Sequence, residues 1–276
     1  MTIRILTLLA VAAAWLFTGC DKSEEEDFVQ QFVLEGYLMV GQPMSVHLSH
    51  TVPLGQLYDP AQVAVSGADV RIWAGGHEFA LPEDTARHGT YSLPADSHIV
   101  TTGEDYRIRV DVQGAVLTAA THNAAGSVAI DSCNLPVWRD STNMDTLEYG
   151  DTEFFLHWNL DSRSDGYWII TENLEPDWFE EWREVSGNNG STGYSFWYWT
   201  ERGIDEFKVP WIILSYTGRH RVRVVSCDEA CYNYAFTSFP GDPENQPQSN
   251  VQGGLGVFCA IDVDTAYFYL ADNIED

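Results

Sequence analysis

The chain has 276 residues, 45% of them hydrophobic and 13% aromatic, so it can form substantial cores and is not an intrinsically disordered protein. Its 41 acidic residues outnumber 14 basic ones, which gives a formal net charge of −27. Such a surface repels phosphate groups, which excludes nucleic acid as a partner and argues against a polybasic membrane-binding patch. Lys22 and Lys208 are the only lysines, and this composition resembles that of proteins from salty habitats, where ions screen self-repulsion.

The N-terminal segment has the pattern of an export signal. Arg4 precedes an apolar run over residues 5–17, which is shorter than the about 20 residues that span a bilayer. The run ends at Phe17-Thr18-Gly19-Cys20, which resembles a lipobox, although Phe17 stands where leucine is usual. We therefore predict a lipoprotein signal peptide over 1–19 and attachment of acyl chains such as palmitate at Cys20. The alternative is an ordinary secretion signal with a coincidental cysteine.

Residues 20–27 follow as an acidic tether. Most of them are Asp or Glu, which cannot be buried, so the segment is expected to be extended and solvated. It resembles the acidic export signals that direct Bacteroidota lipoproteins to the outer face of the outer membrane. The expected location is therefore the outer membrane, lipid-anchored and exposed at the cell surface. Asp21 keeps the choice of membrane leaflet open, because an aspartate at that position signals inner-membrane retention in some other bacteria.

A first set of strands is predicted between residues 28 and 125. Apolar residues alternate with polar ones over 45–49, 69–72 and 106–112, and glycines such as Gly75-Gly76 separate the runs. Short alternating strands at this spacing are typical of an antiparallel β-sandwich. We expect this first domain to be of the regulatory or immunoglobulin-like type.

A second set of strands is predicted between residues 126 and 276. The expected strands cover 154–158, 167–171, 193–200, 211–216, 219–225 and 257–270. One short helix is expected over 228–239, with Asp228 as its N-cap. The predicted fold is therefore all-β, with two tandem antiparallel β-sandwich domains, the second being fibronectin-like.

The remaining cysteines are Cys133, Cys227, Cys231 and Cys259. An even number in an exported chain suggests two disulfides, with three possible pairings. We favour Cys227 with Cys231, which are close in sequence, and this leaves Cys133 with Cys259. A metal site is disfavoured because the Cys-x3-Cys spacing lacks a second half-site.

Three glycine-containing motifs carry a family resemblance. They are Gly67-Ala68-Asp69-Val70, Gly89-Thr90-Tyr91-Ser92-Leu93 and Gly103-Glu104-Asp105-Tyr106-Arg107-Ile108, and they resemble the regulatory-type sandwich beside carboxypeptidases and at the front of TonB-dependent receptors. With residues 33–37 and 250–258, the chain resembles domain of unknown function 4249. This is a family of Bacteroidota lipoproteins often encoded near TonB-dependent receptors. The resemblance implies no catalytic residue.

The aromatic segment 167–199 is the candidate binding region. We single out Trp178, Phe179, Trp182, Trp197 and Trp199, which are interleaved with acidic residues. Such rings could pack in the core, anchor a protein interface, or stack on sugars.

The sequence contains no motif of a common enzyme family. Acidic pairs suitable for a glycosidase occur by chance among so many carboxylates. The loop at residues 161–166 loosely resembles a calcium loop, but Arg163 stands where a ligand is needed. We therefore expect no catalytic residue, no metal and no cofactor.

The predicted function is that of a non-catalytic surface lipoprotein. Through protein or ligand binding it would act as an accessory to a TonB-dependent nutrient uptake system, with a TonB-dependent receptor as the possible partner. The alternatives are a surface hydrolase acting on glycan or peptide, and a purely structural or adhesive surface protein.

Overall fold

The computed structural model confirms an all-β, sandwich-like chain. It describes residues 28–53, 55–122, 126–135, 137–148, 154–175, 177–178, 195–210, 214, 216–238 and 247–271. The predicted signal peptide, the tether and Cys20 lie outside these ranges.

The first half of the chain is a series of short strands. The elements are β1 (Phe32–Met39), β2 (Ser45–His50), α1 (Pro60–Val63), β3 (Asp69–Ala74), β4 (His77–Leu81), β5 (Thr90–Ser92), β6 (Tyr106–Val112) and β7 (Ala115–Thr121). The alternation that predicted β6 matches the burial of its side chains. Ile108 and Val110 are buried, whereas Arg107 and Arg109 are exposed.

The second half adds further strands and a helix. The elements are β8 (Ile130–Cys133), β9 (Thr146–Glu148), β10 (Phe154–Trp158), β11 (Gly166–Asn173), β12 (Asp177–Trp178), β13 (Ser195–Thr200), β14 (Glu206–Val209), β15 (Tyr216–Cys227), α2 (Glu229–Thr237) and β16 (Leu255–Ala271). The predicted cap of α2 is confirmed: the Asp228 carboxylate accepts a hydrogen bond from the Cys231 amide, which would otherwise lack a partner in the first helical turn.

One nine-stranded sheet runs through the molecule in the order β13–β11–β15–β16–β1–β2–β5, with β12 beside β15 and β9 beside β16. A four-stranded sheet, β4–β3–β6–β7, packs on the β1–β2–β5 end of the long sheet. A three-stranded sheet, β14–β10–β8, packs on the other end. Each end is thus a sandwich with its own core, and both cores share the long sheet.

The 17-residue strand β16 joins the two sandwiches. Its first part pairs in parallel with β1, from Leu255 opposite Val33 to Ile261 opposite Met39. Its second part pairs antiparallel with β15, as in Ala266 opposite Val222. A parallel partner needs no hairpin and comes from distant sequence, so local alternation predicts neither this pairing nor the parallel β9–β16 pairing. The predicted second domain, residues 126–276, therefore supplies a strand to the first sandwich.

At the glycine-rich start of β16 two backbones approach each other closely. Gly256 has a φ of +107°, and a Cβ atom built there would lie 2.0 Å from the Leu34 carbonyl oxygen. Only glycine satisfies both conditions, because a larger residue would push β16 away from β1.

A third buried cluster lies where the two sandwiches meet. It contains Val225, Cys227, Cys231, Val257, Cys259 and Ile261. These residues come from β15, α2 and β16, so α2 covers the joint between the two halves.

Candidate functional site

The candidate site is the β13 edge of the long sheet. Among the described residues, β13 pairs only with β11, where Trp199 lies opposite Trp168 and Trp197 opposite Ile170. An edge strand presents one row of unpaired main-chain amide and carbonyl groups, onto which another strand can add. The four consecutive aromatic residues 196–199 of this strand therefore lie at an edge to which another strand could add.

The structure locates three of the five predicted binding residues. Trp197 and Trp199 are both in β13, and Trp178 is in β12, where it pairs with Tyr216 of β15. Phe179 and Trp182 lie outside the described residues. β12 and β13 thus both belong to the β11–β15 end of the sheet, where the predicted binding segment 167–199 lies as far as it is described.

Trp199 packs against the molecule itself. Its ring is partly buried, meets the ring of Trp168 edge to face, and does the same with Tyr232 of α2, with a centroid distance of 6.2 Å. Aromatic rings prefer such arrangements over direct face-to-face stacking. For Trp199 the packing alternative therefore holds, and this ring connects the edge strand to α2.

Four buried indole nitrogens have no hydrogen-bond partner within the described part of the chain, those of Trp138, Trp158, Trp168 and Trp199. The buried Nε of Arg223 likewise has none. A buried donor without an acceptor costs about 1–3 kcal/mol. Trp168, Trp199 and Arg223 lie on the neighbouring strands β11, β13 and β15, so this part of the sheet carries part of that cost.

Strands β15 and β11 carry a row of charged side chains that form ion pairs. Arg221 and Arg223 of β15 both bind Glu172 of β11, at 2.8 and 2.9 Å. Arg219, two residues earlier, binds Glu175 and holds the pKa of that carboxyl below its usual range. Three arginines share two glutamates here, so most of the charge is paired and the row keeps one net positive charge.

Tyr198 is an exposed residue of β13. It has 47% of its surface accessible and stacks on Phe207 of β14, with 4.8 Å between the ring centroids. A tyrosine held by a neighbouring ring loses little conformational freedom on binding, which makes it an effective contact residue. Tyr198 was not among the predicted binding residues. The signal that could have found it is its alternation with Trp197 and Trp199, which places it on the opposite face.

A second surface, which the sequence did not predict, lies on the outer face of the four-stranded sheet. An open cavity of about 1190 Å³ is lined there by residues including Trp73, Arg107, Arg109 and Gln252. Arg109 binds Asp111, whereas Arg107 forms no ion pair within the described part of the chain. The alternation in β6 indicates which side chains face outward, but not that Trp73 lies opposite Arg107 in the neighbouring strand.

The predicted disulfides are not formed in this structure, in which the four cysteines that follow the tether are free. Cys227, Cys231 and Cys259 lie together in the third buried cluster. Cys133 packs instead against the core of the second sandwich, so it is not brought to Cys259. Cys133 is separate from the other three cysteines because it is on β8, in the three-stranded sheet.

The described residues contain no cluster of His, Cys, Asp or Glu suited to a metal ion. In the loop that loosely resembles a calcium loop, Arg163 occupies both carboxylate oxygens of Asp161. This ion pair lowers the pKa of Asp161 to about 2. Across the same described ranges, no helix combines the length and the apolar character needed to cross a membrane.

The fold and these surfaces define an all-β protein of sandwich type, in which the aromatic strand β13 has a partner on one side only among the described residues. The family described as domain of unknown function (DUF4249) matches residues 21–266, and the chain belongs to this family. The predicted family resemblance is therefore confirmed.

Two further comparisons add little. No curated protein matches the chain. Among solved structures it is similar to one described as structural insight into host cell surface retention of a 1.5-MDa bacterial ice-binding adhesin. That match has 12% identity and a TM-score of 0.24, and it covers 88% of this chain and 65% of the other. The chain thus spans under two thirds of the length of that structure.

Proposed function

We propose that the chain is a non-catalytic binding protein of the outer membrane, held by a lipid on Cys20 and facing outward. Its acidic tether over residues 20–27 would separate the folded part from the membrane. It would serve as an accessory to a TonB-dependent nutrient uptake system by binding the receptor or its ligand.

The β13 edge is the observation that carries this proposal. Within the described residues β13 pairs with a strand on one side only, and Tyr198 on this strand is exposed and held against Phe207. A strand of a receptor would supply main-chain hydrogen bonds along this edge and a contact for Tyr198.

The test is co-purification from native membranes in mild detergent, with the partner identified by mass spectrometry. We expect stoichiometric recovery of a TonB-dependent receptor with the wild-type chain and its loss in Tyr198→Ala. The matched control is Tyr269→Ala, since Tyr269 is a similarly exposed tyrosine (40%) on β16 of the same sheet. Both variants should keep the wild-type melting temperature. Recovery of the chain alone, or equal recovery with both variants, would overturn the role of this edge.

The anchor is tested separately. Cys20→Ala should release the chain from the membrane fraction, because several acyl chains on one cysteine give stable anchoring. Mass spectrometry of the mature N-terminus should find a lipidated Cys20. An unmodified Cys20 in membrane-bound protein would contradict this part of the proposal.

A further inference from the structure

Three cysteines lie together in the joint between the two sandwiches. Cys227 is the last residue of β15, Cys231 lies in the first turn of α2, and Cys259 lies in β16. All three are fully buried. Their apolar neighbours Val225, Val257 and Ile261 close the cluster to solvent.

Cys231 is central to this cluster. Cys227 and Cys259 belong to the same buried cluster, and both influence the pKa of the Cys231 thiol, which burial raises well above its usual value. The Cys227 thiol already has a main-chain acceptor, the carbonyl oxygen of Gly166, at 3.2 Å. Within the described part of the chain, neither Cys231 nor Cys259 has a comparable main-chain acceptor. Oxidation of Cys227 would therefore sacrifice a hydrogen bond, whereas a bond between Cys231 and Cys259 would not.

The backbone around Cys231 and Cys259 is fixed by one carboxylate. Asp228 accepts hydrogen bonds from the amides of Cys231 at 2.9 Å and Ala260 at 2.8 Å. Ala260 is the residue after Cys259, so the first turn of α2 and this part of β16 are attached to the same group. This arrangement ties the backbone of Cys231 to the backbone next to Cys259 within one buried cluster, and a disulfide requires that its two cysteines be held near each other.

We propose that Cys231 and Cys259 form a disulfide that fastens α2 to β16, while Cys133 and Cys227 remain thiols. Formation joins the two sulfur atoms and releases two protons and two electrons. The electrons reduce the disulfide of an exported dithiol oxidoreductase, or oxidised glutathione in vitro, to two thiols. In the cell this step rests on the proposed export of the chain to an oxidising compartment.

Burial determines when the bond can form and break. Since both sulfur atoms are inaccessible in the folded chain, oxidation must precede the packing of α2. For the same reason, the completed bond should resist reductants until the chain unfolds. A disulfide that closes the long connection from α2 to β16 restricts the unfolded chain more than a Cys227–Cys231 bond within one short turn.

The test uses two preparations of the full chain: protein purified from membranes, and protein refolded from denaturant with reduced and oxidised glutathione. Thiols are alkylated in denaturant and peptides are mapped by mass spectrometry. We expect a Cys231–Cys259 peptide in both, with Cys133 and Cys227 alkylated. Its presence only in the refolded chain supports the pairing but contradicts the proposed export. A Cys227–Cys231 bond, or alkylation of Cys231 and Cys259 in both preparations, overturns the proposal.

Serine variants give an independent readout. Cys259→Ser should lower the melting temperature of oxidised protein by about 5 °C or more and leave Cys231 open to alkylation. The matched control is Cys133→Ser, which should preserve both the bond and the melting temperature. If Cys259→Ser does not fold, Cys227→Ser provides the test, because it should retain the Cys231–Cys259 bond. Loss of that bond in Cys227→Ser would contradict the pairing.

Discussion

The hydroxyl of Thr121, at the end of β7, donates a hydrogen bond to the carboxylate of Asp228, the N-cap of α2. Both residues are buried, and burial raises the pKa of Asp228 above its usual value. The same carboxylate also accepts hydrogen bonds from the backbone amides of Cys231 and Ala260. A single side chain therefore connects the first sandwich, the helix over the joint and the long strand β16.

Removing this hydroxyl should weaken the joint. We expect Thr121→Val to lower the free energy of unfolding by about 1–3 kcal/mol, because a buried carboxylate loses a donor while its desolvation cost remains. Thr118→Val is the control, since Thr118 is on the same strand but on its partly exposed side, and it should change the free energy by about 0.5 kcal/mol or less. Urea unfolding measures both. Equal effects would contradict the role of the Thr121–Asp228 bond.

The close approach at the start of β16 should be intolerant of any side chain. Gly256→Ala should lower the free energy of unfolding by roughly 3 kcal/mol or more. The added Cβ would clash with the Leu34 carbonyl oxygen, and alanine disfavours the positive φ at this position. Gly41→Ala separates the two effects, since Gly41 has a φ of +78° and nothing within 4 Å of the added atom. This control should cost only about 1–2 kcal/mol. Denaturant unfolding measures the free energy of unfolding of both variants. If Gly256→Ala lowers it by no more than Gly41→Ala does, β16 can move away from β1.

His220 should make the fold sensitive to mild acid. It is buried and stacked on Phe268, and burial lowers its pKa from 6.5 to about 4. Between these values the unfolded chain binds the proton more readily than the folded chain. Its contribution is thus present above pH 6.5 and is lost as the pH falls towards 4, by about 3 kcal/mol in total.

A glutamine at this position removes the titration. The free energy of unfolding of His220→Gln should fall less steeply between pH 6.5 and 4 than that of the wild type. His88→Gln is the control, because the His88 side chain is 72% exposed, and it should follow the wild-type profile. Asp161 has a pKa of about 2 in the folded chain against an ordinary value of 3.8, so its own contribution begins to fall near pH 4, but it does so equally in the wild type and in His220→Gln and cancels in the comparison. Parallel profiles for wild type and His220→Gln would contradict a buried, neutral His220.

Salt should stabilise the chain as a whole. A net charge of −27 repels itself in the compact state, and ions screen that repulsion with a Debye length of about 3 Å at 1 M. The melting temperature is therefore expected to rise between low and molar potassium chloride. Sucrose at equal osmolality is the control for general exclusion effects. A melting temperature that does not rise with salt would argue against adaptation to a salty habitat.

Local patterns predicted about half of the strands and the helix. The alternation in β6 and the cap at Asp228 both correspond to the structure, because each depends on residues near one another in sequence. The family resemblance rested on turn glycines and strand tyrosines, and it was confirmed over residues 21–266.

The candidate site was only partly predictable. Aromatic enrichment indicated β13, but it could not separate Trp199, which packs against Trp168 and Tyr232, from the exposed Tyr198. That distinction depends on which face of the strand α2 covers. Likewise, sequence proximity favoured pairing Cys227 with Cys231, whereas the fold brings Cys259 to the same cluster from another strand.

The sequence by itself determined the all-β class, the acidic surface, the family and half of the strand positions, because composition and period-two alternation are local properties. Only the tertiary structure decided that β16 passes from one sandwich to the other, pairing in parallel with β1 and antiparallel with β15. Strand alternation specifies which side of a strand is buried but not which strand lies beside it. That choice depends on contacts between distant parts of the chain, such as Thr121 with Asp228, which form only when the two sandwiches and α2 pack together.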